Sequence, residues 1–78
     1  MRVRKEQLVV TFPSTTAAMA MERFAKEEEI PGRIIPLPSE LSAGCGLAWK
    51  TEPEEKAELM RRLDQAGIRW ELMAVLKL

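Results

Sequence analysis

The chain has 78 residues, one small domain's worth with an ordered core expected over about 6–77, too little to enclose a large pocket. Lys and Arg number 12, as do Asp and Glu, so no net charge draws it to nucleic acid or an anionic membrane over long range. Histidine is absent and cysteine occurs once, which excludes Ser-His and Cys-His couples, Cys/His zinc clusters and an internal disulfide.

The charged start, Met1-Arg2-Val3-Arg4-Lys5-Glu6, is not followed by an apolar stretch of signal-peptide length. Residues 7–12 (Gln-Leu-Val-Val-Thr-Phe) are β-branched and aromatic-rich, and read as a first strand. Pro13 ends it, and Ser14, Thr15 and Thr16 offer N-caps for a helix running to about Glu29. Ala17, Ala20, Met21, Phe24 and Ala25 recur at helical spacing as its expected buried stripe, and Pro31-Gly32 stops it.

Arg33-Ile34-Ile35-Pro36-Leu37 reads as a second strand, placed at a sheet edge because Pro36 cannot donate to a ladder. A Ser/Gly-rich loop leads to a third strand from about Cys45 to Thr51. Glu52-Pro53-Glu54-Glu55 opens a second helix, proline and acids both being favourable in a first turn. Ala57, Met60, Leu63 and Ala66 give its expected apolar face, and Gly67 its left-handed stop. Ile68-Arg69-Trp70-Glu71-Leu72 alternates, so a last strand is expected from 68 to about 77.

The order β-α-β-β-α-β at these lengths points to an α+β fold, the ferredoxin-like plait. Its four-stranded antiparallel sheet, in the order 4-1-3-2, carries two helices on one face. Trp49 and Trp70 are expected packing anchors, and Met21 and Met60 core filler, while Met19 and Met73 are candidates to face a partner. The carboxylates of Glu27-Glu28-Glu29 and of Glu52 through Glu58 sit among lysines and arginines, the pattern of solvated helix faces, so no metal is expected. The third strand (Gly46-Leu47-Ala48-Trp49-Lys50) lacks the stacking aromatics that RNA-binding sheets use, so no nucleic-acid partner is expected.

The chemistry-bearing segment is Pro38-Ser39-Glu40-Leu41-Ser42-Ala43-Gly44-Cys45-Gly46-Leu47. It holds the sole thiol between two glycines, which remove side-chain bulk and let backbone amides converge. In the expected plait this loop lies at the same end of the sheet as the start of the first helix. Cys45 is therefore expected near Ser14, Thr15 and the helix's free amides, an environment that favours a thiolate. Ser42, Ser14 and Thr15 offer hydroxyl donors, Gly44 and Gly46 offer close approach, and Arg33 lies at the opposite end of its strand. Alternation puts Cys45, Leu47 and Trp49 on one face, toward the helices, and Gly46, Ala48 and Lys50 on the other, open face. A core-facing cysteine is also commonly inert packing, so both readings stand. A lone thiol suits a reducing interior, and no apolar run reaches the ~18 residues that span a bilayer, so the expected location is the cytoplasm, with no membrane partner.

The segments Phe12-Pro13-Ser14-Thr15-Thr16-Ala17 and Ile34 through Ala48, with Ser-x-Gly-Cys-Gly at their heart, resemble a family of small bacterial selenium/sulfur carrier-like proteins over about residues 6–77. The resemblance implies that Cys45 bears a sulfur or selenium atom. It would be accepted as a persulfide or perselenide from a donor such as a cysteine desulfurase or selenocysteine lyase, then passed to an acceptor protein. Such a chain is a co-substrate more than an enzyme, needs no cofactor, and uses one cysteine because the acceptor supplies the second nucleophile. The competing reading is a non-catalytic ligand-binding or interaction module in which Cys45 is structural. In it, the apolar last strand, Leu72-Met73-Ala74-Val75-Leu76, forms a homodimer through its edge. A third reading, a thiol peroxide sensor, needs only an exposed, activated Cys45.

Overall fold

The computed structural model describes residues 4–41 and 45–78. Strand β1 spans Glu6–Thr11, helix α1 Thr15–Glu28, β2 Arg33–Pro36, β3 Leu47–Thr51, helix α2 Lys56–Ala66 and β4 Leu72–Lys77. The four strands form one antiparallel sheet in the order β2-β3-β1-β4, with β1 and β3 central. Both edges fall where the sequence puts them: β2, with its proline, at one side and β4 at the other.

The register explains the layers. Leu8 pairs with Thr51 and Val75, and Val10 with Trp49 and Met73, so these side chains share a face. Leu8, Val10, Phe12 and Trp49 form one core cluster with Ala18, Met21 and Ala25 of α1 and Leu59 and Leu63 of α2, which places both helices on that face. Phe12, Leu8, Met21 and Leu63 are the largest fully buried side chains, each contributing roughly 1.5–3 kcal/mol of apolar transfer free energy. The other face, expected to be open, carries Val9, Thr11 and Ala48, all at 0% exposure although no helix among the described residues lies over them.

Ser14 is the N-cap: its backbone is extended (φ −155°) and its Oγ accepts from the Ala17 N–H at 3.2 Å. The other end of α1 differs from expectation. Glu29 itself turns left-handed (φ 52°) and the helix closes through Ile30 N donating to Ala25 O at 2.9 Å, before Pro31 and Gly32 are reached. Burial of Ile30 against the core secures this non-glycine stop. Gly32 has a different duty. With φ 123° it passes so close to β3 that a Cβ there would stand 2.6 Å from Trp49 Nε1.

The buried stripes are rotated from those read in the sequence. On α1 the buried residues are Ala18, Met21 and Ala25, Ala17 and Phe24 pack at the margin, and Ala20 is exposed. On α2, Leu59 and Leu63 are buried, Met60 is half-buried, and Ala57 and Ala66 are exposed. Alanine is neutral enough to lie on either face, so the larger Leu59 fixes the rotation instead.

A single 3-10 turn, Pro53–Glu55, precedes α2, and Gly67 (φ 70°) ends it as expected. Residues 68–70 are not strand, correcting the expected start of the last element. Ile68 N donates to Leu63 O at 3.0 Å, so this segment belongs to the helix closure, and Trp70 packs at the edge of the core. Ladder bonding begins only with Glu71 N donating to Thr11 O at 2.8 Å. Met73 packs against the core, whereas Met19 is 48% exposed.

Candidate functional site

The connection from β2 to β3 carries the thiol. Past the Pro36–Leu47 pair, Leu37 N donates to Gly46 O at 2.9 Å, which extends the ladder by one step and fixes where Cys45 emerges. Leu41 N donates to Pro38 O at 3.0 Å, closing a turn through Ser39 and Glu40. Strand β3 starts at Leu47, so Cys45 and Gly46 lie just before it, two residues later than the expected strand start.

Cys45 is a free cysteine of intermediate burial, and its body packs against the core cluster on the helix-bearing face. Its Sγ donates to Leu47 O at 3.5 Å. Beside it Gly46 is exposed, with nothing within 4 Å of where a Cβ would stand. The thiol therefore has a packed side and a weak hydrogen bond to its own strand, while the free space at Gly46 opens on the other face. Its intermediate burial leaves part of the residue at the surface.

The topology brings Cys45 to the end of the sheet where α1 begins, since Ala48 pairs with Thr11 only three residues before Ser14. Contact is looser than the sequence reading anticipates. Ser14 and Thr15 are exposed, Ser14 Oγ is engaged as the cap of α1, and no hydrogen bond joins either hydroxyl to Cys45. Ser42 and Gly44 lie outside the described residues. Arg33 is at the opposite end of the sheet, as expected, paired in register with Lys50.

Among the described residues no group of three or more His, Cys, Asp or Glu is placed to hold a metal ion. No helix among them is long and apolar enough to cross a membrane. One cluster escaped the sequence reading: Arg4, Gln7, Arg33, Lys50 and Lys77 line a common groove. Its members come from separate segments of a chain without net charge, and only the strand register brings them together.

A family model described as "Putative Se/S carrier protein-like" matches residues 7–74. No curated protein and no solved structure matches the chain.

Proposed function

Because the chain belongs to the Se/S carrier protein-like family, we propose that it carries one sulfur or selenium atom on Cys45 between a donor enzyme and an acceptor protein. The observation that carries this reading is the placement of the sole cysteine. It lies half-buried at the mouth of β3, beside the open, exposed Gly46. A carrier thiol must be reachable by two different proteins in turn, yet shielded enough that its cargo is not lost to solvent.

The transfer is redox-neutral. The Cys45 thiolate attacks the outer sulfur of a donor enzyme's persulfide, forming a new S–S bond while the donor's cysteine leaves as a thiolate. An acceptor thiolate then attacks the outer atom of the Cys45 persulfide, and Cys45 leaves as a thiolate. A selenium atom moves by the same two displacements through a perselenide. A cysteine desulfurase or a selenocysteine lyase fits the donor's part, since each generates such an outer atom on its own cysteine. No cofactor and no third residue is required for the displacement itself. Ser14 and Thr15, at the same end of the sheet, and Ser42, Gly44 and Gly46 are the proposed surroundings of the loaded anion. The compartment proposed is the cytoplasm, where a lone thiol stays reduced.

A second reading has one observation in its favour. Cys45 packs against the core, as a purely structural cysteine does. On that view the domain is a ligand-binding or docking module. Incubation with a cysteine desulfurase and sulfur-labelled cysteine separates the two. Label that reaches the wild-type chain, is released by reductant and is absent from Cys45→Ser supports the carrier. A chain that stays unlabelled while the desulfurase itself is charged supports the module.

A further inference from the structure

The face of the sheet opposite the helices carries a cationic groove of about 890 Å³. Among the described residues its lining includes Arg4, Lys5, Arg33, Lys50 and Lys77, against one acidic side chain, Glu40. Lys5 is satisfied by Glu52 at 3.3 Å and Lys77 stands opposite Glu6 in the β1–β4 register, but Arg4, Arg33 and Lys50 have no ion-pair partner among the described residues. Arg33 and Lys50 are direct partners in the β2–β3 register, and like charges set opposite each other across a ladder repel. Folding alone gains nothing from that pairing, and an anionic occupant would relieve it.

Two further features define the occupant. Gln7 is only 5% exposed, lines the groove, and its amide has no hydrogen-bond partner among the described residues. It offers a donor and an acceptor together, which matches a peptide group. The cations are spread along the groove from the chain's start, across β2 and β3, to the end of β4, rather than converging on one point as a phosphate site does. Ile35, Pro36 and Pro38 add apolar contact, and among the described residues no aromatic side chain lines it to stack a base.

We propose that this groove docks an acidic, extended segment of a partner protein, its carboxylates facing Arg33 and Lys50 and its backbone meeting Gln7. Lys50 lies five residues from Cys45, roughly 16 Å along an extended strand and on the opposite face. The contacts proposed at Gln7, Arg33 and Lys50 therefore use no atom of Cys45, although Pro36 and Pro38 bring the groove's other end to the connection that carries it.

The test is titration of the isotopically labelled full chain with a hexaglutamate peptide, followed by amide NMR shifts. Inorganic phosphate, oligothymidine and hexalysine serve as separate probes. Saturable shifts at Gln7, Arg33, Ile35 and Lys50 with hexaglutamate alone are expected, weakening several-fold as salt is raised. Arg33→Glu combined with Lys50→Glu should weaken binding at least tenfold with spectral dispersion retained. Should that pair unfold the chain, Arg33→Ala and Lys50→Ala singly should each weaken binding about threefold or more. Cys45→Ser should bind as the wild type does. Equal shifts with phosphate would make this a small-anion site, and tighter binding of oligothymidine a nucleic-acid site. Self-association abolished by Lys50→Glu would give the groove to a second copy, and an absence of shifts there would remove the site. Each of these four outcomes overturns the proposal.

Discussion

The Cys45 thiol donates a hydrogen bond to the carbonyl oxygen of Leu47, two residues along, at 3.5 Å. That bond exists only while sulfur holds its proton, because a carbonyl offers a thiolate nothing to accept. Reaction at Cys45 must therefore release Sγ from its own strand. The resting thiol is held weakly, at a place where letting go costs the fold little.

Gly32→Ala should destabilise the protein by about 2–4 kcal/mol, as expected when a left-handed glycine is also a packing site. At φ 123° an L side chain is strained, and its Cβ would fall within 3 Å of both Trp49 Nε1 and Trp49 Cε2. Urea denaturation with tryptophan fluorescence measures this, since Trp49 reports its own displacement. A loss below about 0.5 kcal/mol would mean that the β2 entry yields easily.

Ser14→Ala should cost about 0.5–2 kcal/mol, the range for loss of an N-cap, because Ser14 Oγ holds the Ala17 N–H at 3.2 Å. Ser14→Asp should restore most of it, since aspartate caps as well and suits the positive end of the helix. The same pair of variants tests cargo loading: if Ser14 acts only as a cap, both accept sulfur at the wild-type rate once folded.

Lys50→Glu should raise stability by about 0.2–1 kcal/mol, by turning the like-charged Arg33–Lys50 pair into an opposite-charged one. Thermal melts in low and high salt measure it, and the gain should shrink as salt screens the pair. A variant that is more stable yet binds acidic peptide less well would identify Lys50 as held for function at some expense to the fold.

Most of the architecture was legible in the sequence, because turn chemistry and strand composition agree at nearly every junction. Pro36 marks the edge strand, Ser14 the first cap and Gly67 the second helix stop. Lys50 separates its face from Trp49's, but that face is not the open one expected, since Val9, Thr11 and Ala48 on it are fully buried. The errors cluster where a residue is compatible with two environments. Ala20, Ala57 and Ala66 fit an apolar stripe by spacing, yet lie exposed because Leu59, Met21 and Leu63 set the helix rotations. Ile68-Arg69-Trp70 alternates like a strand, but its first amide is taken by Leu63 O. The position of Cys45 followed from topology. Its bond to Leu47 and the lack of a hydrogen bond from the Ser14 and Thr15 hydroxyls did not, because loop conformation has no period to read.

Glu58 sits below its ordinary value of 4.5, first through its hydrogen bond from Arg61 and then through the charges of Arg61 and Arg62. A lowered folded-state value means that the carboxylate's contribution is present above the ordinary carboxylate range. It is lost as pH falls through the lowered value. Arg61→Gln should bring the Glu58 titration back up in side-chain carboxyl NMR. An unchanged midpoint would assign the shift to Arg62 alone.

Carriage on Cys45 is checked most closely by the intact mass of the protein, purified without reductant from cells supplied with selenite or with sulfide, before and after dithiothreitol. A carrier shows a reductant-labile addition of one selenium or sulfur atom that maps to Cys45, together with alkylation of the emptied thiol in the native protein. An unmodified chain whose Cys45 reacts with alkylating agent only after unfolding would contradict it.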